Sequence, residues 1–172
     1  MLILVTGGSA SGKSAYAESL CLRYTPRIYL ACMQPYGEEG EKRVARHRAM
    51  RKDNGFTTVE RYTDLASLVL PACAAVLLED VGNLAANEMF FEEPPRDPVR
   101  AVLSGIDALK KQCERLVVVT DEIGADGTGY DPATTAYLLA LGRVNRALAD
   151  RADAVIETVA GIPISLKGEL PV

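Results

Sequence analysis

Gly7, Gly12, Lys13 and Ser14 stand at the spacing G-x-x-x-x-G-K-[ST], within the run Gly7-Gly8-Ser9-Ala10-Ser11-Gly12-Lys13-Ser14. That spacing suits the wrapping of a phosphate chain. The glycines let the loop turn so that its backbone N–H groups point inward at the anion. Lys13 supplies charge for the β and γ oxygens, and the Ser14 hydroxyl is a ligand for Mg²⁺. All eight residues of the run are therefore candidates to bind a nucleoside triphosphate, ATP or GTP.

Such a site needs a carboxylate near the metal. Val76-Leu-Leu-Glu79-Asp80 is the first candidate, an apolar run that ends on two acids. The pattern does not decide which of Glu79 and Asp80 serves. Asp121-Glu122, after a second apolar run, is the other candidate pair. A different chemistry is carried by His47, the chain's single histidine, inside Arg43-Val-Ala-Arg46-His47-Arg48-Ala-Met-Arg51. At helical spacing Arg43, His47 and Arg51 share a face. Surrounding cations favour the neutral, nucleophilic imidazole and suit a triphosphate or a pyrophosphate leaving group. Taken alone, a lone histidine on a charged helix is usually a solvated bystander, and the pattern by itself does not establish a nucleophile.

These groups must be positioned by a frame, and the chain supplies one in alternation. Strands are expected over Leu2–Thr6, Arg27–Cys32, Thr57–Arg61, Ala74–Leu78 and Leu116–Thr120. Helices are expected over roughly Lys13–Arg23, Glu38–Asp53, Leu65–Leu70, Asn83–Phe91, Val99–Cys113 and Ala133–Ala149, the last with Pro132 as an early helix residue. A Pro-rich connection over Glu92–Pro98 and a glycine-bearing loop over Gly124–Asp131 separate them. Ala154–Ala160 and Ile162–Leu166 read as two strands joined at Gly161, in the manner of a hairpin. The expected fold class is α/β: a P-loop NTPase-type three-layer sandwich, a mainly parallel sheet with helices on both faces, in one domain over residues 1–172. Ligands of such sheets sit beyond the carboxyl ends of the strands, which brings Ser9, Cys32, Glu79 and Asp121 to one edge.

Composition sets limits on partners. The chain has 172 residues, 48% hydrophobic and 24% charged, with a net charge of -4. That balance offers no general attraction for nucleic acid or anionic membrane. No run approaches the ~18 apolar residues of a membrane span. The N-terminus lacks the pattern of a signal peptide. Cys21, Cys32, Cys73 and Cys113 are scattered in apolar stretches without metal-ligand spacing, as reduced core thiols are. A cytoplasmic location is expected.

Several segments together resemble one family, in order and over nearly the full length. They are Ile3-Leu-Val-Thr-Gly-Gly to Ser14, Arg43 to Arg51, Thr58-Val-Glu60, Val76 to Glu79, Val117-Val-Val-Thr-Asp-Glu122-Ile-Gly124, Gly142-Arg-Val-Asn145 to Ala149, and Ala160-Gly-Ile-Pro163 through Leu166-Lys-Gly168. The family is the bifunctional adenosylcobinamide kinase / adenosylcobinamide-phosphate guanylyltransferase of cobalamin biosynthesis. Ala10 stands where that family usually has Arg, and Asp121 where it usually has Asn.

The resemblance implies two reactions of nucleotide-loop assembly. One is phosphorylation of adenosylcobinamide by ATP or GTP. The other is transfer of GMP from GTP, through a GMP–histidine on His47, to adenosylcobinamide phosphate. It implies catalytic roles for His47 and Lys13, and nucleotide contacts by Ala31, Cys32, Met33, Arg48, Arg51, Glu60 and Glu79. Mg²⁺ would be held through Ser14 with Glu79 or Asp80. It also implies a homotrimer, for which Leu84, Met89, Phe90 and Phe91 are apolar contact candidates, although a buried core helix explains them equally well. The residues without the resemblance leave room for a kinase of another small alcohol, a guanylyltransferase without kinase activity, or a nucleotide-sensing module.

Overall fold

The computed structural model describes residues 1–35, 54–91, 96–123 and 127–171. Within them, seven strands form a single sheet in the order β3-β2-β4-β5-β1-β6-β7. They are β1 (Leu2–Thr6), β2 (Arg27–Ala31), β3 (Thr57–Glu60), β4 (Ala75–Glu79), β5 (Arg115–Val119), β6 (Ala154–Val159) and β7 (Ile162–Lys167). Every pairing is parallel except β6 with β7. The antiparallel exception follows from chain length: only Ala160 and Gly161 separate the two strands, too few for a crossover. Both have positive φ, as a two-residue hairpin turn requires.

Central strands read as unbroken apolar runs because both of their faces are covered. Val76, Leu77 and Leu78 of β4 and Val117, Val118 and Val119 of β5 are all fully buried. One face packs α1 (Lys13–Ser19) through Ala17, with Leu20 and Cys21 just beyond it, against Ile3, Val5, Leu77 and Val117. The other face packs α2 (Val81–Phe90), α3 (Pro98–Lys110) and α4 (Pro132–Arg151), whose Leu84, Ile106, Leu109, Val144 and Leu148 meet Leu2, Leu4, Val76 and Val118. The expected three-layer, mainly parallel sandwich is therefore the fold.

Three helices begin on aspartates. Asp80, Asp97 and Asp131 each accept backbone N–H groups of the first turn, and Pro98 and Pro132 follow two of these caps directly.

Two expected helices are shorter than their periodicity predicts. The first ends at Ser19 rather than Arg23. Beyond it the chain tightens into turns, Cys21 N–H to Glu18 O and Tyr24 N–H to Cys21 O, and Arg27 Nη1 takes the Leu22 and Tyr24 carbonyls at 2.8 Å. The second, over Leu65–Leu70, is only a 3₁₀ turn, Leu65–Ser67. Gln112 from beyond α3 bonds the Leu68 carbonyl and the Leu70 N–H, both at 2.9 Å, taking the backbone groups a helix would have used. The segment 38–53, expected as a helix, lies outside the described residues, as do 92–95 and 124–126.

Candidate nucleotide site

The phosphate-loop run leaves the carboxyl end of β1 and enters α1. Gly7 has φ 152° and Gly12 has φ 94°, backbone that side chains disfavour. Space is equally short. A Cβ on Gly7 would lie 2.5 Å from Ser11 Oγ and 2.7 Å from the Thr158 carbonyl oxygen. Ala10 holds a left-handed φ of 58° without being glycine.

The loop is braced by the β6–β7 hairpin. Ser11 and Thr158 share a hydroxyl–hydroxyl hydrogen bond of 2.8 Å, and Gly161 N–H donates to the Ser11 carbonyl at 2.8 Å. Glycine at 12 allows this close approach, since a Cβ there would lie 3.1 Å from Gly161 Cα. Neither Thr158 nor Gly161 stands out as a site residue by type; only their lying in or near a segment shared with a known family marks them.

Lys13 folds back over its own loop. Its Nζ donates to the Gly8 carbonyl at 3.1 Å and pairs with Asp121 Oδ1 at 2.7 Å. Ser14 Oγ donates a hydrogen bond to Glu79 Oε1. Tyr29 OH donates to the other oxygen, Glu79 Oε2, at 3.0 Å. The sequence offers no sign of Tyr29's role: a tyrosine in a β-run reads as core, and its ring is indeed buried against Phe56.

Glu79 and Asp80, joined by a cis peptide bond, serve different purposes. Asp80 turns both oxygens to α2, accepting from Asn83 N–H at 2.6 Å and Asn83 Nδ2 at 2.7 Å. Burial pushes its carboxyl up to about 6, helped by the charge of Asp121 and opposed by the bonds from Asn83. The geometry thus separates the pair: Glu79 faces Ser14, and Asp80 caps a helix.

Asp121 is held from behind. Asn145 of α4 donates to the Asp121 backbone carbonyl at 3.2 Å and accepts from the buried Thr120 hydroxyl at 2.7 Å. Gly82 leaves room beside it: a Cβ there would lie 3.2 Å from both Asp80 Oδ1 and Tyr137 OH, and 3.9 Å from Asp121 Oδ2.

Other expected site residues lie farther along the same edge. Ala31 ends β2. Cys32 follows it, but its side chain is wholly buried in the core and burial pushes its thiol well up. Only its backbone meets the edge, its N–H donating to the Glu79 carbonyl and its carbonyl accepting from Asn87 Nδ2. Met33 is half-buried beyond it. Glu60 ends β3, four strands from β1 in the sheet, about 19 Å at ordinary strand spacing. Its carboxylate accepts from Tyr62 OH at 3.0 Å. His47, Arg48 and Arg51, with Arg43 and Arg46, lie outside the described residues. Of the apolar contact candidates, Leu84 belongs to the core, while Phe90 and Phe91 are about half exposed.

Comparison with known proteins places this geometry. The family model described as cobinamide kinase / cobinamide phosphate guanyltransferase, CobU, matches residues 3–166. The chain belongs to the CobU family. That family is one of transferases. Its bifunctional adenosylcobalamin biosynthesis protein CobU from Escherichia coli (strain K12) is 32% identical over 182 residues, covering 97% of this chain and 100% of the relative. The CobU protein of Salmonella typhimurium has the same identity and coverage. CobP of Pseudomonas aeruginosa is 33% identical over 170 residues, covering 96% of this chain and 97% of its own. Among solved structures, a type III secretion system ATPase is similar with a TM-score of 0.55 at 11% identity. The similarity covers 95% of this chain and 56% of that one. At that identity the likeness is one of fold alone. No helix among the described residues is long and apolar enough to cross a membrane.

Proposed function

We propose that this chain carries out both transfers that its family is named for, on adenosylcobinamide and its phosphate, within cobalamin nucleotide-loop assembly. The observation that carries the reading is the meeting of Lys13 and Ser14 on the Gly7–Ser14 loop with carboxylates from β4 and β5, in a chain that matches the family from residue 3 to residue 166.

In the kinase step the work is positioning. Loop N–H groups and Lys13 hold the β and γ oxygens of ATP or GTP, and the γ-phosphoryl group passes to the alcohol of adenosylcobinamide. A hydroxyl and a carboxylate, Ser14 and Glu79, form an oxygen donor set that fits Mg²⁺. When bound, Mg²⁺ neutralises charge on the phosphate oxygens. Glu79 rather than Asp80 is the carboxylate for it, because Glu79 faces the Ser14 hydroxyl while Asp80 turns away to cap α2 through Asn83.

In the guanylyl step the His47 imidazole attacks the α-phosphorus of GTP. A P–N bond forms, the bond to the bridging oxygen breaks, and pyrophosphate leaves. The phosphate of adenosylcobinamide phosphate then attacks the GMP–histidine, giving adenosylcobinamide-GDP and free His47. Arg43, Arg46, Arg48 and Arg51 surround His47 in sequence and supply the counter-charge for the leaving pyrophosphate. The nucleotide runs along the sheet edge from Lys13 toward Ala31, Met33 and Glu60. A homotrimer is the assembly proposed, by likeness to the family.

Labelled GTP tests the two halves separately. α-Labelled GTP leaves an acid-labile, base-stable label on the protein, γ-labelled GTP leaves none, and His47→Ala abolishes it. Substrate phosphorylation without any protein label would overturn the guanylyl half. Label without phosphorylation of adenosylcobinamide would overturn the kinase half.

A further inference from the structure

Lys13 already has an anion. Its Nζ sits 2.7 Å from Asp121 Oδ1, in a pair whose side chains are 12% and 32% exposed, and a second bond goes to the Gly8 carbonyl. Asp121 is held in place from behind, since Asn145 accepts from the side-chain hydroxyl of the preceding Thr120 and donates to the Asp121 backbone carbonyl. The lysine of a phosphate loop is there to meet β and γ oxygens. Two bonds occupy two of its three N–H groups.

A phosphate oxygen taking the third would stand within about 5.5 Å of the Asp121 carboxylate, where two negative charges repel each other appreciably in a partly buried site. If Lys13 instead leaves Asp121, the ion pair is lost. On either path the carboxylate opposes the nucleotide.

Resting on the reading that this loop binds a nucleoside triphosphate, we infer that Asp121 is a positioning residue that sets nucleotide affinity: it holds Lys13 where a phosphate oxygen belongs and competes with the incoming triphosphate. A neutral side chain of the same shape would keep the geometry and remove the competition.

The test is direct binding of a non-hydrolysable GTP analogue with magnesium, by calorimetry, to the full chain. Asp121→Asn is expected to tighten binding about fivefold, the worth of one partly buried ion pair. Asp121→Glu, which keeps the charge, stays within about twofold of the parent chain. In a Lys13→Ala background, Asp121→Asn changes affinity by less than about twofold, because the coupling runs through Lys13. In turnover, Asp121→Asn lowers the KM for nucleotide in both transfers. Equal or weaker binding by Asp121→Asn overturns the inference and leaves the function standing. So does tightening that persists without Lys13. If the parent chain binds no analogue, the functional reading and this inference fall together. Unchanged far-ultraviolet dichroism and melting temperature establish that each variant is folded.

Discussion

Ser14 Oγ and Glu79 Oε1 share a hydrogen bond between the start of α1 and the end of β4, 65 residues apart in the chain. Glu79 is held from its other side by Tyr29, so the carboxylate reaches Ser14 in a fixed orientation. Glu79→Gln keeps an acceptor for Ser14 but loses the charge. It is expected to lower both transfer rates about 100-fold and to raise the magnesium concentration needed for half-maximal rate. Tyr29→Phe removes one hydrogen bond and lowers the rates by only about fivefold. Initial rates at varied magnesium check both, and an unchanged magnesium dependence in Glu79→Gln would count against Glu79 as the metal-side group.

Gly7 is required by space and by φ together. A Cβ there meets Ser11 Oγ and the Thr158 carbonyl inside van der Waals distance. Gly7→Ala is therefore expected to cost about 2 kcal/mol or more of stability and to abolish nucleotide binding, because relief requires moving the loop or the hairpin that braces it. Urea unfolding with and without the nucleotide analogue measures both effects. Gly8→Ala is the contrast, since nothing lies within 4 Å of a Cβ at Gly8. Its stability cost is expected to stay under about 1 kcal/mol.

Asp80 gives stability a pH dependence of known sign. Burial lifts its folded value to about 6, above the ordinary 3.8. A carboxyl raised in this way contributes fully below about pH 4, and that contribution is lost as pH rises through about 6. Relative to Asp80→Asn, the parent chain should thus lose on the order of 2 kcal/mol between pH 4 and pH 7 in magnesium-free buffer. Unfolding free energies across that range decide it. Parallel curves for the two proteins would show that Asp80 does not titrate in this window.

Asn145 ties α4 to the end of β5 through Thr120 and Asp121. Asn145→Ala leaves a buried hydroxyl without its acceptor, at a cost of about 1–3 kcal/mol. For a chain of this length that lowers the melting temperature by roughly 5 °C. Nucleotide affinity should change as well, because Asp121 loses its support. Thermal melts paired with analogue binding separate the two effects.

The amino-acid sequence by itself determined the layers and the loop. Apolar runs such as Val76–Leu78 and Val117–Val119 can be buried on both faces only in a covered parallel sheet, and the Gly7–Ser14 spacing carries its chemistry in residue types alone. Alternation of such runs with helical segments then sends every parallel strand's carboxyl end to one edge. What the sequence left open were choices between neighbours and partners. Glu79 and Asp80 look equivalent as a pair of acids. Only tertiary structure turned one to Ser14 and the other to Asn83, because the start of α2 needs an acceptor. Periodicity likewise reads Leu65–Leu70 as helix, since it registers side chains and is blind to Gln112 arriving from 42 residues away. Tyr29, Asn145 and Thr158 act through bonds to residues distant in the chain, and no local pattern encodes such bonds. The pairing of Lys13 with Asp121 belongs with them: each residue was visible in the chain, but that they meet was decided by β5 lying beside β1 in the folded sheet.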